Sequence, residues 1–487
     1  MNMKKISIII ALIVGLSVSC SKDFLETAPT NKISDVDVFK TAAGAQTVLD
    51  GVSRMLRDLL PDETSHDVFG HKALDLSWDL MGEDIVCRKN HWFAIDYQHD
   101  NRSASYRRTR TTWALYYNVI NNMNNILANA DKIPYETTKQ EAGIKGQALS
   151  IRAFAYFNLI NIYQFTYIGH ESDPGVPIYT EPTTQGNPRG TVQQVYDLIV
   201  ADLDEAIALM TANTPDRRHI SDVDLSVAHG LRARVALQMG DWPKAETEAA
   251  AARADYNLNT MADFSTGFSD YQQSTWMWGL EINDEQSTVY ASFPSHLDMS
   301  VGGYAGLGYM PKYMSTALYN MLPADDVRKT LCTPAVYTGV TYYINYKFNA
   351  ALAGKNFAAD YVMMRPEEML LIQAEAIARQ GGRDAAAQTL LNDLHAVRQT
   401  APVPVTATGT ALLDAVLLER RFELWGEGFR GRDIKRLKLA LDRNGSNHNP
   451  VLALYMTLPA EDNRWNYQIP QGEIDANDKI GPEDQNN

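Results

Sequence analysis

Residues Leu417–Lys438 read LLERRFELWGEGFRGRDIKRLK. Leu418, Phe422, Trp425 and Phe429 recur at steps of four, three and four, which puts the bulky apolar groups on one helical stripe. Charges of both signs fill the other faces. Gly426, Gly428 and Gly431 interrupt the run, and Asp433 is placed to cap a second short helix from Ile434, because its carboxylate can accept the unpaired amides of a first turn. The stretch predicts helix, glycine corner, helix, with Arg–Glu pairs partly in solvent. On the residues alone, Glu419, Arg420 and Glu423 read as structural groups before catalytic ones.

Upstream, Arg365–Arg398 reads as a helical hairpin: helix to Arg379, Gly381-Gly382 at the turn, and a second helix from Asp384. Asp224–Ala254 repeats the plan, with Gly240-Asp241 at the turn and Trp242-Pro243 opening the second helix. Alanines at helical steps in both copies permit close helix approach, in the manner of a tetratricopeptide repeat. Simple packing of two antiparallel helices, without a true repeat, is the plainer alternative. Further helices are predicted over Ala42–Leu60, Trp113–Ala130 and Glu141–Phe165, and from Thr191, which forms a capping box with Gln194. Between Thr166 and Gly190, prolines and glycines exclude helix.

Two stretches break this texture. Residues 61–112 carry histidines, Trp78, Trp92, Tyr97 and Tyr106 without sustained period, and residues 255–363 hold 19 of the chain's 46 aromatics. The second is nearly twice its share by length. Rings in irregular segments offer flat faces for stacking, so both are predicted loop regions that carry binding residues on a helical scaffold.

The 487 residues suffice for a large core, and a net charge of −15 repels polyanions, which argues against nucleic-acid binding. Lys4 and Lys5 precede an apolar run, Ile6–Val18, too short to span a bilayer but suited to a secretory signal. It ends at Ser17-Val18-Ser19-Cys20, which resembles the bacterial lipoprotein cleavage box, so residues 1–19 are read as signal and Cys20 as the acylated first residue. An ordinary secretory signal with an incidental cysteine is the plainer alternative. Ser21–Glu26 looks like the start of surface lipoproteins of the Bacteroidetes. Cys87 and Cys332 can pair or stay free.

No HExxH, GxSxG, P-loop or repeated CxxC occurs. The glycine-rich Gly302–Gly308 neither follows a strand nor opens a helix clearly, which argues against a phosphate cradle. His66 and His71, like His91 and His99, are spaced too widely to share a helical face, and no metal or cofactor is implied.

LLERRFELWGEGFRGRDIKRLK resembles the signature helix of the SusD/RagB family of nutrient-binding outer-membrane lipoproteins. ALSIRAFAYFNLINIYQF at 148–165, with Pro174–Pro177 after it, resembles the family's RA-x-x-Y-x-x-L helix and its exit. WALYYNVINNMNNIL at 113–127, RPEEMLLIQAEAIAR at 365–379, MWGLEI at 277–282, SFPSHLD at 292–298, GGYAG at 302–306, DVRK at 326–329 and IPQGEIDAND at 469–478 are similar to other family segments in the expected order.

The resemblance implies a mostly α fold, a SusD-like superhelix of tetratricopeptide-like hairpins with long loops and a few short strands. It places one such domain over 20–487, with scaffold at about 42–60, 113–254 and 364–440. It further implies a non-catalytic surface lipoprotein, anchored at Cys20, that passes oligosaccharide, or in some members peptide, to a SusC-like TonB-dependent transporter. Ligand residues vary within such a family, so the binding candidates rest on composition: Trp92, Tyr97, Trp276, Tyr290, Tyr304 and Tyr309 as stacking rings, with Arg88, Asp96 and Asn101 to orient the ligand. Trp278 and Phe293 lie inside family-like strings and are expected to pack. A protein-binding tetratricopeptide scaffold and a surface glycosidase are the alternatives.

Overall fold

The computed structural model describes residues 38–58 and 64–487. The predicted signal and Cys20 lie outside them. Helix α1 (Ala42–Met55) is capped by the Thr41 hydroxyl, which accepts from the Gly44 N–H, and is followed by α2 (His71–Met81). Residues 61–112 are therefore not all loop. Every residue of α2 is buried, so its polar stripe of Lys72, Asp75 and Asp79 meets buried partners where a surface helix would meet water.

Strand β1 (Ile85–Cys87) and the short α3 (Ala94–Tyr97) lead into α4 (Arg107–Asn129), which starts six residues before the Trp113 expected from the sequence. Next come α5 (Thr138–Tyr163), the pair β2 (Pro174–Pro177) and β3 (Arg189–Thr191), and α6 (Val192–Ala212). Thr191 and Gln194 form the predicted capping box, satisfying two otherwise orphaned amides. The hairpin α7 (Leu225–Met239) and α8 (Trp242–Ala252) turns at Gly240, whose φ of +74° a side chain would resist.

These helices pack in succession, each on the next, and α8 then packs on α13 (Pro366–Gln380). The two tetratricopeptide-like hairpins are thus neighbours in space although about a hundred residues separate them in sequence. The intervening segment leaves and re-enters through β4 (Trp278–Leu280) paired antiparallel with β8 (Tyr361–Met364). The short α9 (Met261–Phe264) precedes β4, and between β4 and β8 lie α10 (Phe293–Leu297), β5 (Lys312–Met314), α11 (Thr316–Met321), α12 (Val327–Thr330), β6 (Cys332–Tyr337) and β7 (Val340–Asn345). β1, β5, β7 and β6 form one antiparallel sheet in that order, and the β6–β7 hairpin turns on Thr338 and Gly339, both at positive φ. Among the described residues no helix is long and apolar enough to cross a membrane.

The fold closes with α14 (Asp384–Ala396), α15 (Gly409–Glu423), α16 (Arg430–Arg436) and α17 (Pro450–Ala453), the strand pair β9 (Leu441–Asp442) and β10 (Thr457–Leu458), and α18 (Gln471–Ala476). Here two expectations change. Asp433 lies inside α16 rather than capping it, and its carboxylate accepts from Arg420 and Arg436. The cap comes from elsewhere: the Asp79 carboxylate of α2 accepts from the backbone N–H groups of Gly428 (2.9 Å) and Arg430 (3.1 Å).

Of the Arg–Glu pairs, those of Arg421 and Arg430 with Glu83 are partly in solvent as expected, but those centred on Glu423 are not. Glu423 is fully buried and receives Arg365 at 2.6 Å, Arg398 at 2.8 Å and Arg328 at 2.9 Å. Burial opposes its charge, yet the three guanidinium groups hold the carboxyl well below the usual carboxylate range. Arg328 comes from the inserted segment and Arg365 from the edge of α13, so the insert and the scaffold share one buried ionic centre. Its neighbours supply the screening from water that a one-dimensional pattern cannot show.

Candidate functional site

The sequence after β1 turns sharply, with the Ala94 N–H donating to the His91 carbonyl, and presents His91 and Trp92 at the surface. Burial of Phe93 beneath them ties this turn to the core. His66, just ahead of α2, lies against the Trp92 ring at 5.6 Å with planes 29° apart, and Tyr290 lies nearly parallel to His66 at 6.4 Å. The insert supplies Tyr290 from the turn before α10, and Tyr304 and Tyr309 from the glycine-rich loop after it.

That loop explains its own composition. The Ala305 N–H donates to the Ser295 carbonyl, and the Tyr304 N–H to the Ser295 hydroxyl, so the loop lies directly on α10. A Cβ at Gly303 would come within 2.4 Å of Ser295 Cα, and only glycine permits this approach. The Gly302–Gly308 run therefore builds a ring mount instead of a phosphate cradle.

Tyr304 is the centre of the cluster. Its ring lies 6.2 Å from Trp92, 5.9 Å from Tyr290, 5.8 Å from Tyr309 and 5.0 Å from His91. Its hydroxyl is 2.7 Å from His66 Nδ1. Beneath it lies buried His296, whose Nε2 hydrogen-bonds the His66 carbonyl at 2.7 Å. Burial, with Lys312 nearby, pushes the His296 pKa well down, so the imidazole is neutral and serves as a flat support. Burial also lowers His91, and the Lys312 charge adds to it. Arg107 places its guanidinium 5.5 Å from the Trp92 ring while its Nε and Nη2 hold Asp67 at 2.9 and 2.8 Å.

The result is an open aromatic platform in which Tyr290 is 44% and Tyr309 51% exposed, while Trp92 and Tyr304 are half-buried. Rings held this way offer faces to the C–H surface of a sugar or to another ring, and the imidazoles and phenols supply hydrogen bonds. Among the described residues no group of three His, Cys, Asp or Glu is placed to hold a metal ion.

Of the nine predicted binding residues, the structure brings Trp92, Tyr290, Tyr304 and Tyr309 together. It removes four others from any surface. Asp96 accepts from Ser77, Asn101 and Arg108 inside the core, Asn101 donates to the Tyr467 hydroxyl, and the Tyr97 hydroxyl meets His448 Nδ1 at 2.6 Å. Trp276 is only 4% exposed and packs in the main core. Each is enclosed by its own partners, so none can reach a surface ligand. Arg88 is half-buried but turns to the sheet, 4.0 Å over the Tyr337 ring. Trp278 and Phe293 pack, as expected. Sequence reasoning misses His66, His91 and His296 as site residues; His91 beside Trp92 and His296 within SFPSHLD carry a local signal, whereas His66 has only the histidine-rich texture of its segment.

Residues 23–237 match a family described as "Starch-binding associating with outer membrane", and residues 284–486 match the SusD family. The chain belongs to the SusD/RagB family. SusD-like protein P2 of Formosa agariphila is 26% identical, over 91% of this chain and 93% of that one. A SusD-like carbohydrate binding protein of Bacteroides vulgatus superposes with a TM-score of 0.81 at 27% identity, over 92% of this chain and 99% of its own. A SusD superfamily protein of Bacteroides thetaiotaomicron gives 0.77 at 27% identity, over 92% and 100%. In this SusD/RagB chain the platform draws rings from both matched segments, His66, His91 and Trp92 from the first and Tyr290, Tyr304 and Tyr309 from the second. The signature stretch 417–438 lies in the buried scaffold.

Proposed function

We propose that this SusD/RagB protein captures oligosaccharide at the cell surface on the Trp92–Tyr290–Tyr304–Tyr309 platform and delivers it, unmodified, to a SusC-like TonB-dependent transporter. Acylation of Cys20 anchors it to the outer membrane. The observation that carries the reading is the exposed ring cluster itself, six aromatic or imidazole rings assembled around Tyr304 from three separate stretches of chain. Rings left at the surface forgo burial worth roughly 25 cal/mol per Å² of apolar area, a cost that a ligand recovers. A non-catalytic role is supported by the state of the adjoining carboxylate: Asp67 is fully buried and its oxygens accept from Arg107 and Arg108, so it is not presented to a ligand on the platform.

Calorimetry of the mature chain against a panel of soluble polysaccharides tests this. At least one should bind, and Trp92→Ala and Tyr304→Ala should each weaken it tenfold or more while the melting temperature stays near that of the wild type. Undiminished binding by both variants, or release of shorter sugars on incubation, counts against the proposal.

A further inference from the structure

A second site lies on α4, away from the platform. From Arg107, which touches Trp92, to Tyr117 is ten residues, about 15 Å along the helix axis. There a cavity of about 310 Å³ opens between α4, the loop joining β2 to β3, and α18. This is within the range of small-ligand pockets, large enough for one sugar ring with its waters and too small for a folded partner.

Its walls are aromatic and fixed. Trp113 and Tyr117 meet at 4.8 Å, and Tyr179 stands edge-on to Tyr117 at 5.7 Å. Each ring is tied: the Trp113 indole N–H donates to Glu473 at 3.1 Å, the Tyr117 hydroxyl to the Pro177 carbonyl at 2.8 Å, and the Tyr179 hydroxyl accepts from the Asn187 N–H at 3.0 Å. The loop is clamped to α18 as well, since the Asn477 amide donates to the Asn187 carbonyl and a Cβ at Gly186 would strike Asn477. The pocket is therefore built before any ligand arrives, which lowers the ordering cost of binding.

The rim has the opposite character. Asn121, Glu181 and Gln185 line the mouth, are exposed, and their side chains make no hydrogen bond among the described residues. Asn121 stands apart from its neighbours in this respect, for Asn122, Asn125 and Asn129 all donate back to carbonyls four residues earlier. Amides and one carboxylate offer paired donors and acceptors to vicinal hydroxyls. Among the described residues no lysine, arginine or histidine lines the cavity, which disfavours anions. Glu473 is already occupied on both oxygens, by Trp113 and Asn477, which weakens its pull on a cation.

We propose that this pocket is a second, independent carbohydrate site, which takes a single neutral pyranose unit with its ring face on half-buried Tyr117, backed by buried Trp113, and its hydroxyls on Asn121, Glu181 and Gln185. It does not depend on the platform's reading.

The test uses the mature chain carrying Trp92→Ala and Tyr304→Ala, so that the platform is removed, and methyl glycosides of glucose, galactose, mannose and xylose as probes, followed by saturation-transfer NMR. If that pair fails to fold, Tyr290→Ala with Tyr309→Ala, both at exposed rings, replaces it. At least one glycoside should still show transfer, and adding Asn121→Ala and Gln185→Ala should weaken it at least fivefold with an unchanged melting temperature. Loss of all transfer on removing the platform, or transfer indifferent to the rim substitutions, overturns the proposal. So does displacement of the glycoside by tetramethylammonium at equal concentration, which would make the pocket a cation cage. Failure of the platform reading would appear separately, as polysaccharide binding that survives Trp92→Ala.

Discussion

His296 lies face to face with Tyr304, their ring centroids 4.9 Å apart and their planes inclined by 16°. One imidazole thus fixes the orientation of the ring around which the surface cluster assembles, and it does so from inside the protein. A neutral ring is required, because a charged one would need a counter-ion in a buried place.

Replacing that support should be felt at the surface. His296→Ala removes an aromatic contact worth about 1 kcal/mol and frees the Tyr304 ring, so affinity for a bound polysaccharide should fall roughly fivefold. Tyr304→Ala should cost more. Calorimetry of both variants, with circular dichroism to confirm the fold, checks the order; equal binding by His296→Ala and wild type would show that the ring is held by other means.

Glu423 joins the insert to the scaffold. Removing it with Glu423→Ala leaves Arg365, Arg398 and Arg328 sharing a buried site without their common anion, and breaking such an arrangement costs about 3–5 kcal/mol. Urea denaturation should show the loss as a lower midpoint. Glu246→Ala, which breaks an exposed pair with Arg383, should shift it by less than about 1 kcal/mol.

Acid should weaken the fold earlier than the carboxylates predict. Burial holds His71 down at about 3 and His448 at about 4, and His99 and His296 well below the ordinary imidazole value. The unfolded chain binds protons at these sites from about pH 6.5 downward while the folded one does not. Their contribution is complete above pH 6.5 and is lost as pH falls toward the folded values, with each site adding up to about 1.4 kcal/mol per pH unit. Denaturation midpoints at pH 7 and pH 5 measure it, and His99→Gln, which retains a donor to the Met81 carbonyl, should flatten the slope.

Cys87 and Cys332 are both buried and unpaired, on strands that do not adjoin. Burial raises each thiol to about 12, so neither is a thiolate at neutral pH. A thiol reagent should modify neither in the native protein and both after unfolding, as mass spectrometry of the labelled peptides would show.

The sequence by itself determined the scaffold. Helical periods, the Thr191–Gln194 box and the Gly240 turn are local devices, each decided by residues within a turn or two of one another, and they place the hairpins correctly. Composition also separated the aromatic-rich stretches that hold the platform. What it missed is what distance in space decides. The polar stripe of α2 is buried because the fold surrounds it, and Asp433 loses its cap role to Asp79, more than three hundred residues earlier in the chain. The same limit governed the site: Trp92 and Tyr97, five residues apart, look alike as candidates, yet one lies at the surface beside Tyr304 and the other is sealed against His448. Whether a ring serves packing or a ligand depends on what else comes to cover it, and in this chain the covering residues arrive from remote segments.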